Sequence, residues 1–298
     1  MATTGIRPEP PLVVIVGPTA SGKTGLATRL AKEFGGEIIS ADSRAIYKGL
    51  DIGTAKPDMH EREGVPHWGI DIVGPSERFT VSDFKDYAVQ KIAEIRLRGH
   101  VPFLVGGTGL YIDAVVYDYQ FPDGTNDVSR RDVLASLSLG QLHKYCEENN
   151  IHFPENYKNK RYVISAILRQ GHSAKRRKRP EPNTIIVGIT TEKAELRKRI
   201  EQRASDIFAA DIVGEAQQAA KSYGWDNTAM TGNVYPLIHR YLMGKMTIDE
   251  AQDRFVLLDW HLAKRQLTWL RRSDHIHWLE LDEAYTYCAR RLAKPNIS

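Results

Sequence analysis

Several features that define large classes of proteins are scarce or missing in this chain. Only two of the 298 residues are cysteines, Cys146 and Cys288, which lie far apart and form no Cys-x-x-Cys pair. This argues against a disulfide framework or a zinc site, so we expect a reducing cytoplasm. No apolar run approaches the roughly 20 residues of a membrane-spanning helix, so we expect no membrane partner. The first eleven residues are polar and proline-rich, and we expect no secretory signal.

A large excess of charge is also missing. The formal net charge is +4, so the position of the charges matters more than their sum. No internal repeat or long low-complexity segment is evident. The length fits one α/β domain with an insertion, or two domains, and we expect a monomer.

The most informative stretch is GPTASGKT, Gly17 to Thr24, which fits the P-loop pattern of Gly, four residues and Gly-Lys-Ser/Thr. An unbroken apolar run, Leu12 to Val16, precedes it and is typical of a strand buried on both faces of a parallel sheet. Leu26 and Leu30 follow at helical spacing and mark one apolar face. A strand and a helix on either side favour a P-loop over a chance glycine turn.

A P-loop binds a di- or triphosphate for simple physical reasons. Its glycines let several backbone N–H groups point at an anion, and the helix N-terminus adds partial positive charge. Lys23 supplies a full charge, and Thr24 offers a hydroxyl to Mg²⁺. The motif alone specifies neither the phosphate compound nor the reaction.

A second short strand is expected at Glu37 to Ser40, with Asp42 and Ser43 directly after it. If this strand is parallel and adjacent to the first, Asp42 emerges at the same sheet edge as the P-loop. A carboxylate there can hold Mg²⁺ or act as a general base. The competing interpretation is a turn aspartate that bonds its own backbone. The P-loop beside it favours a functional role.

Two glycine-containing segments are candidates for the same edge. Tyr47 to Pro57 is predicted to be a loop, either a substrate clamp or an ordinary surface loop. A third strand, Val101 to Val105, leads into a Gly-Gly-Thr-Gly turn at 106–109 and a helix. These glycines can admit a ligand, with Thr108 aimed at it, or let a helix pack close to the sheet.

Composition changes between about residues 118 and 182. Helical patterns replace strands, at Val133 to Tyr145 and at Tyr162 to Leu168, and basic residues accumulate. The run Lys175 to Arg179 is either a solvated, flexible segment or an RNA-binding one. We therefore predict an inserted helical lobe at 118–182 between two parts of a core, 1–117 and 183–298.

The remainder returns to a sheet-and-helix pattern. A strand is predicted at Thr184 to Ile189, then helices near Glu195 to Phe208 and Ile212 to Tyr223, and a long helix that begins after Thr247 and ends near Arg272. A last edge strand is expected at Ile276 to Leu279. The predicted fold is α/β: a P-loop NTPase-like parallel sheet flanked by helices, with a small inserted helical lobe.

Several blocks together resemble the bacterial tRNA dimethylallyltransferases, also called tRNA isopentenyltransferases. The matching blocks are GPTASGKT at 17–24, SADS at 40–43, IYKGLDIGTAKP at 46–57, VGGTGLY at 105–111 and AKRQLTWL at 263–270. They occur in order and span most of the chain, so the combination is far more specific than a P-loop alone.

The resemblance implies transfer of a dimethylallyl group from dimethylallyl diphosphate to the exocyclic amine of the adenine on the 3′ side of the tRNA anticodon. It implies that the P-loop holds the diphosphate, that Mg²⁺ on Thr24 neutralises charge, and that Asp42, Thr19 and Lys23 are catalytic. The implied diphosphate-binding residues are Gly17, Pro18, Thr19, Ala20, Ser21, Gly22, Lys23 and Thr24. The implied tRNA-binding residues are Asp42, Ser43, Arg44, Ala45, Thr108, Arg130, Arg161, Lys264, Arg265 and Gln266.

The chain departs from the family pattern in two places. Ser165 to Leu168 replaces the family's Arg-Ala-Leu-Glu, and Asn233 to Pro236 replaces a Gly-Tyr-Arg/Lys run. A basic residue is thus missing near Tyr235, and Arg240 is a possible substitute as a diphosphate ligand. Two other functions compete with the transferase: an ATP-dependent small-molecule P-loop kinase, and a non-catalytic RNA-binding protein.

Overall fold

Six parallel strands form one sheet in the computed structural model, which describes residues 9–74, 77–121, 127–172 and 175–293. Their spatial order is β3-β2-β4-β1-β5-β6. The strands are β1 (Leu12–Val16), β2 (Gly36–Ser40), β3 (His67–Trp68), β4 (Val101–Gly106), β5 (Thr184–Ile189) and β6 (His277–Leu279).

Helices connect the strands and form the inserted unit. They are α1 (Lys23–Phe34), α2 (Met59–Arg62), α3 (Val81–Leu97), α4 (Gly109–Val116), α5 (Val128–Ser136), α6 (Leu139–Glu148), α7 (Lys160–Leu168), α8 (Lys193–Ala209), α9 (Ile212–Tyr223), α10 (Tyr235–Leu242), α11 (Ile248–Leu270) and α12 (Leu281–Ala293). The parallel sheet flanked by helices confirms the predicted α/β class. Over the described residues, none of these helices combines the length and apolar character that crossing a bilayer requires.

β2 meets one of the two conditions under which Asp42 is expected at the same sheet edge as the P-loop. β2 is parallel to β1, but the two strands are not adjacent because β4 lies between them. The register still brings their carboxyl ends together: Ser40 pairs with Val105, and Val16 pairs with the next residue of β4, Gly106. The segments that follow β1, β2 and β4 therefore emerge at one edge of the sheet.

Apolar side chains cover both faces of the sheet. On one face, Leu26 and Leu30 of α1 pack with Phe103 of β4 and with Cys288 of α12. A second apolar cluster joins α8 to α11 and the segment after β2, and Phe255 is among its buried members. Every residue of β1 is at most 2% exposed, which confirms the prediction of a strand buried on both faces.

Capping signals located two of the long helices, α3 and α11. Thr80 and Asp83 form a capping box at the start of α3, and Thr247 and Glu250 form another at the start of α11, as their spacing predicts. The helix predicted at Ile212 to Tyr223 is found with those bounds. Four of the helices and strands, α2, β3, α10 and α12, have no counterpart among the elements predicted from the sequence.

Residues 117–178 form a compact unit separate from the rest of the chain, which comprises the residues up to 116 and those from 179 onward. The unit has its own core, in which Leu142, Cys146 and Val163 are fully buried. The helical pattern around Val133 to Tyr145 is divided between two helices, α5 and α6. They separate because Ser138 accepts a hydrogen bond from the Gln141 N–H and starts a new capping box.

Candidate active site

The P-loop lies between β1 and α1, as its sequence predicts. The backbone φ angle is 61° at Ala20 and 85° at Gly22, so the chain turns through the left-handed region twice within three residues. The Ser21 N–H donates to the Pro18 carbonyl at 3.3 Å. No acidic residue occupies the first turn of α1, and no side chain of the described residues caps that helix. The first N–H groups of α1 are therefore available to an anion.

Lys23 folds back over this loop. Its Nζ donates to the Pro18 carbonyl oxygen at 3.0 Å. Burial lowers the pKa of Lys23 from 10.5 to about 8; the Asp42 carboxylate raises it and the nearby Arg203 guanidinium lowers it further. The amine therefore stays mostly protonated at pH 7, and an incoming anion would stabilise that charge.

Asp42 follows β2 at the same sheet edge. Its Oδ1 accepts a hydrogen bond from the Arg44 N–H at 2.8 Å, which is the turn contact considered as the alternative to a functional role. The Ser43 N–H donates to Thr108 Oγ1 at 3.1 Å, and the Thr108 N–H donates to the Ala41 carbonyl at 3.3 Å. The segment that carries Asp42 is therefore fixed to the one that follows β4.

Two arginines of α8 approach the P-loop, and the sequence did not identify either as a site residue. Arg203 Nη1 donates to Thr19 Oγ1 at 2.9 Å, and Arg199 Nη1 donates to the Ser21 carbonyl at 3.3 Å. The sequence feature that could have identified them is their spacing, because residues four positions apart lie on the same face of a helix. Arg199 also pairs through Nε with Glu195 Oε1 at 2.7 Å.

The loop predicted at Tyr47 to Pro57 has neither helix nor strand, and polar contacts hold it in place. Glu215 accepts hydrogen bonds from three successive backbone N–H groups, those of Asp51, Ile52 and Gly53, at 2.7, 2.7 and 2.9 Å. The Thr54 carbonyl next to them accepts from Arg203 Nη2 at 3.3 Å. The loop thus borders the P-loop through Arg203.

The glycine turn after β4 packs against α11. A Cβ added at Gly109 would overlap the ring of Trp269, so this glycine allows close helix packing. The Trp269 Nε1–H donates to Asp113 Oδ2 at 2.8 Å. Gln266 Oε1 accepts from the Thr19 N–H at 2.8 Å, so α11 also holds the P-loop backbone.

The residues proposed to contact tRNA lie in both units. In the core unit, Lys264 and Arg265 are exposed on α11, Arg44 Nη1 donates to the Thr228 carbonyl at 2.9 Å, and Ala45 is only 5% exposed.

In the inserted unit, Arg161 is exposed near the start of α7, and Arg130 Nη2 donates to the Tyr145 hydroxyl at 3.2 Å. The basic run from Lys175 to Arg179 is exposed along its length. Its backbone is nevertheless tied down, because the Arg177 N–H donates to the Tyr117 carbonyl at 2.8 Å.

The acidic and thiol groups offer little to a metal ion. No group of three or more His, Cys, Asp or Glu side chains within the described ranges is placed to hold one. Thr24 is half-buried at the start of α1, where its hydroxyl can supply a single oxygen ligand. Cys146 and Cys288 are buried free thiols. The donor set suits a cation that takes most of its oxygen ligands from a bound phosphate and from water, as Mg²⁺ does.

Two family models match this chain. The model for IPP transferase matches residues 45–273, and that for isopentenyl transferase matches residues 10–68. Similar sequences include the tRNA dimethylallyltransferase of Desulforudis audaxviator, 39% identical over 92% of this chain and 93% of that protein. The tRNA dimethylallyltransferase of Geobacillus kaustophilus is 38% identical over 94% of this chain and 93% of its own length.

Solved structures give the same result. The tRNA isopentenylpyrophosphate transferase of Bacillus halodurans has a TM-score of 0.72 and 36% identity, covering 95% of this chain and 96% of that one. A eukaryotic dimethylallyltransferase acting on tRNA has a TM-score of 0.75, covering 94% of this chain and 77% of that one. At 22% identity, the second match supports the fold alone.

Proposed function

This chain belongs to the tRNA dimethylallyltransferase family, also called tRNA isopentenyltransferases, and from that premise we propose the reaction that its site performs. The chain transfers a dimethylallyl group from dimethylallyl diphosphate to the exocyclic amine of the adenine 3′-adjacent to the tRNA anticodon. The product is isopentenyladenosine in the tRNA. The observation that carries this proposal is the P-loop with Lys23, near which lie both the Asp42 carboxylate and the Arg203 guanidinium.

The donor's diphosphate is the leaving group, and the P-loop is its site. The uncapped N–H groups at the start of α1 would donate to the phosphates, and the Lys23 ammonium would add its positive charge. Arg203 is the cation that we assign in place of the missing basic residue near Tyr235, because it reaches Thr19 of the loop. Arg240, the alternative, is exposed on α10. Fixed cations stabilise charge as it develops on the departing diphosphate.

Asp42 is the general base. As the adenine nitrogen forms its bond to the allylic carbon, the carbon–oxygen bond to the diphosphate breaks, and the amine must lose one proton. We assign that proton to the Asp42 carboxylate, which the Arg44 N–H and the Ser43 backbone contact hold at the sheet edge. Thr19, the P-loop residue whose hydroxyl accepts a hydrogen bond from Arg203, helps to orient the two reactants.

Mg²⁺ is the divalent cation that we propose for this site. Thr24 would hold it, together with oxygens of the donor's diphosphate and water. When bound, it neutralises part of the charge on the leaving group.

We propose that residues of the core unit and residues of the inserted unit each contact the tRNA. An adenine stacked in an anticodon loop must be extruded before its amine can react, which requires extra binding surface on the RNA. We propose that the inserted lobe, 118–182, supplies that surface through Arg130 and Arg161. In the core unit we assign the remaining contacts to Ser43, Arg44, Ala45, Thr108, Lys264, Arg265 and Gln266. We also propose that the protein works as a cytoplasmic monomer, which its two free thiols fit.

Mass spectrometry of tRNA tests the function directly. After incubation with protein, dimethylallyl diphosphate and Mg²⁺, the tRNA should gain one dimethylallyl group per molecule, on the adenine beside the anticodon. The comparisons support a transferase over a small-molecule kinase or a non-catalytic RNA-binding protein. Melting curves separate the kinase independently, since ATP would stabilise a kinase strongly and dimethylallyl diphosphate would not.

Substitution of Asp42 tests the assigned base. Asp42→Asn should slow transfer by about 10²–10⁴-fold, the usual contribution of a general base, while tRNA still binds. Asp86→Asn, an exposed carboxylate on α3, is the matched control and should react at the wild-type rate. Near-normal turnover in Asp42→Asn would contradict this role.

A further inference from the structure

Arg203 makes contacts through all three of its guanidinium nitrogens. Nη1 donates to Thr19 Oγ1 at 2.9 Å, and Nη2 donates to the Thr54 carbonyl at 3.3 Å. Nε is directed at the Asp259 carboxylate, with Oδ2 at 3.7 Å. The two Nη groups thus contact the P-loop and the loop after β2, whereas Nε faces the Asp259 carboxylate on α11.

Asp259 is a buried carboxylate in the middle of α11. Its side chain is only 4% exposed, and its Oδ1 accepts a hydrogen bond from Asn233 Nδ2 at 2.7 Å. Neither its Oδ2 nor Arg203 Nε has a hydrogen-bond partner within the residues that the structure describes. These two atoms therefore face each other as the remaining unsatisfied members of a charge pair.

The charge pair of Arg203 and Asp259 is not well explained as a contribution to the stability of the fold. Burial raises the pKa of Asp259, opposed first by Arg203 and then by the Asn233 hydrogen bond. A buried ion pair usually contributes no more to folding than apolar residues of the same volume would. A hydrogen bond from Asn233 fixes the carboxylate, but the pair stays 3.7 Å apart, so neither charge is fully compensated by the other.

The positive charge of Lys23 suggests what the Arg203–Asp259 pair does. Lys23 and Arg203 lie near enough that Arg203 lowers the pKa of Lys23, so the two cations repel each other before any ligand is present. A fixed negative charge behind Arg203 offsets that repulsion and keeps its Nη groups on the side of the P-loop. A site whose cations are ordered in advance loses less entropy when the anion binds.

We propose that Asp259, oriented by Asn233, is a positioning residue that holds the Arg203 guanidinium against the P-loop for the leaving diphosphate. This rests on the proposed function, because it assumes that a diphosphate binds beside Arg203. It also gives a role to Asn233, which lies in the stretch where the chain departs from the family pattern. Neither Asp259 nor Asn233 touches the substrate.

A double-mutant cycle on pyrophosphate binding tests the proposal. Calorimetry with inorganic pyrophosphate and Mg²⁺ gives Kd for wild type, Asp259→Asn, Arg203→Ala and the double variant. Asp259→Asn should weaken binding by about 10–100-fold, the usual cost of removing a group that orients a ligand-binding residue. In the Arg203→Ala background the same change should have no further effect, because Asp259 acts only through Arg203. Asp253→Asn, an exposed carboxylate on the same helix, is the matched control and should bind as wild type does.

A second variant covers the case in which Asp259→Asn does not fold. Asn233→Ala keeps both charges and removes only the hydrogen bond that orients the carboxylate, and it should weaken pyrophosphate binding in the same direction. In transfer assays, both variants should raise the KM for the donor and leave tRNA affinity unchanged. A purely structural role would lower the melting temperature without changing Kd.

Three results would overturn the inference. The first is wild-type Kd in both Asp259→Asn and Asn233→Ala, and the second is a loss that is equally large with and without Arg203. The third is a wild-type protein that binds no pyrophosphate, which would contradict the proposed function itself and remove the premise. Pyrophosphate bound by wild type with an unaffected Asp259→Asn would reject the inference alone.

Discussion

Loss of the Lys23 charge should change stability and ligand binding in opposite directions. Its pKa falls from 10.5 to about 8 in the folded protein, mainly because of burial. A lysine whose pKa is lower when folded binds fewer protons in the folded state than in the unfolded state between these two values. At pH 7 the protonated, buried Lys23 therefore lowers the free energy of unfolding of the unliganded protein. This free energy should rise as the pH increases from 8 towards 10.5.

The size of the effect follows from the two pKa values. At about 1.4 kcal/mol per pH unit, the penalty at pH 7 is at most about 3 kcal/mol. Between pH 7 and pH 10, deprotonation of Lys23 should remove most of that penalty, about 2–3 kcal/mol. Lys23→Met keeps a side chain of similar length without the charge. It should raise the free energy of unfolding at pH 7 by about 1–3 kcal/mol, since the lost hydrogen bond to Pro18 offsets part of the gain.

Urea unfolding of the ligand-free protein at pH 7, 8, 9 and 10 measures this difference. The gap between Lys23→Met and wild type should close as the pH rises, whereas Lys198→Met, an exposed lysine on α8, should follow wild type throughout. The same Lys23→Met protein should bind pyrophosphate more weakly than wild type at pH 7. Parallel stability curves for wild type and Lys23→Met would refute the assignment of a depressed pKa to Lys23.

Three further predictions concern the loops and the inserted unit. Glu215→Gln should cost about 2–3 kcal/mol in urea unfolding, because it removes a charged acceptor from three backbone N–H groups, whereas the exposed Glu201→Gln should change little. Arg161→Ala should weaken tRNA binding and reduce the slope of log affinity against log salt concentration by about 0.7. The same slope should be measured in a variant whose residues 175–179 are changed to serine. An unaltered slope in that variant would mean that the run does not contact RNA. Gly109→Ala should lower the melting temperature, since its Cβ meets a tryptophan ring of α11; an unchanged melting temperature would contradict that packing.

The local elements of the P-loop half were predictable because each carries its own signal. The apolar run of β1, the glycine pattern and the helical spacing after Lys23 act within about 25 residues and agree with one another. Strand order was not predictable in the same way. Nothing within β2 indicates that β4 separates it from β1, because β1, β4 and β5 are all largely apolar, buried runs beside which a parallel strand can lie.

The missed parts of the site depend on contacts between distant segments. Arg203 resembles any charged residue of an amphipathic helix until the fold brings α8 beside Thr19, 184 positions earlier in the chain. Gln266 was expected to contact tRNA from its sequence block, and that contact stays a prediction. The structure adds a second role for it, because its side-chain oxygen binds the P-loop backbone.

The hydrogen bond from the Thr19 N–H to Gln266 joins residues 247 positions apart, and this has a consequence for folding during synthesis. At about 5–20 residues per second, a ribosome needs roughly 12–50 s to make that intervening stretch. β1 and α1 emerge first, yet their central neighbours β4 and β5 and the helix that steadies the loop arrive later. The apolar strand β1 therefore stays unpaired until β4 and then β5 emerge, and the P-loop lacks its contact with Gln266 until α11 leaves the ribosome. Chaperone contacts with the emerging chain should accordingly concentrate on Leu12–Val16, which ribosome-bound crosslinking at successive chain lengths would reveal.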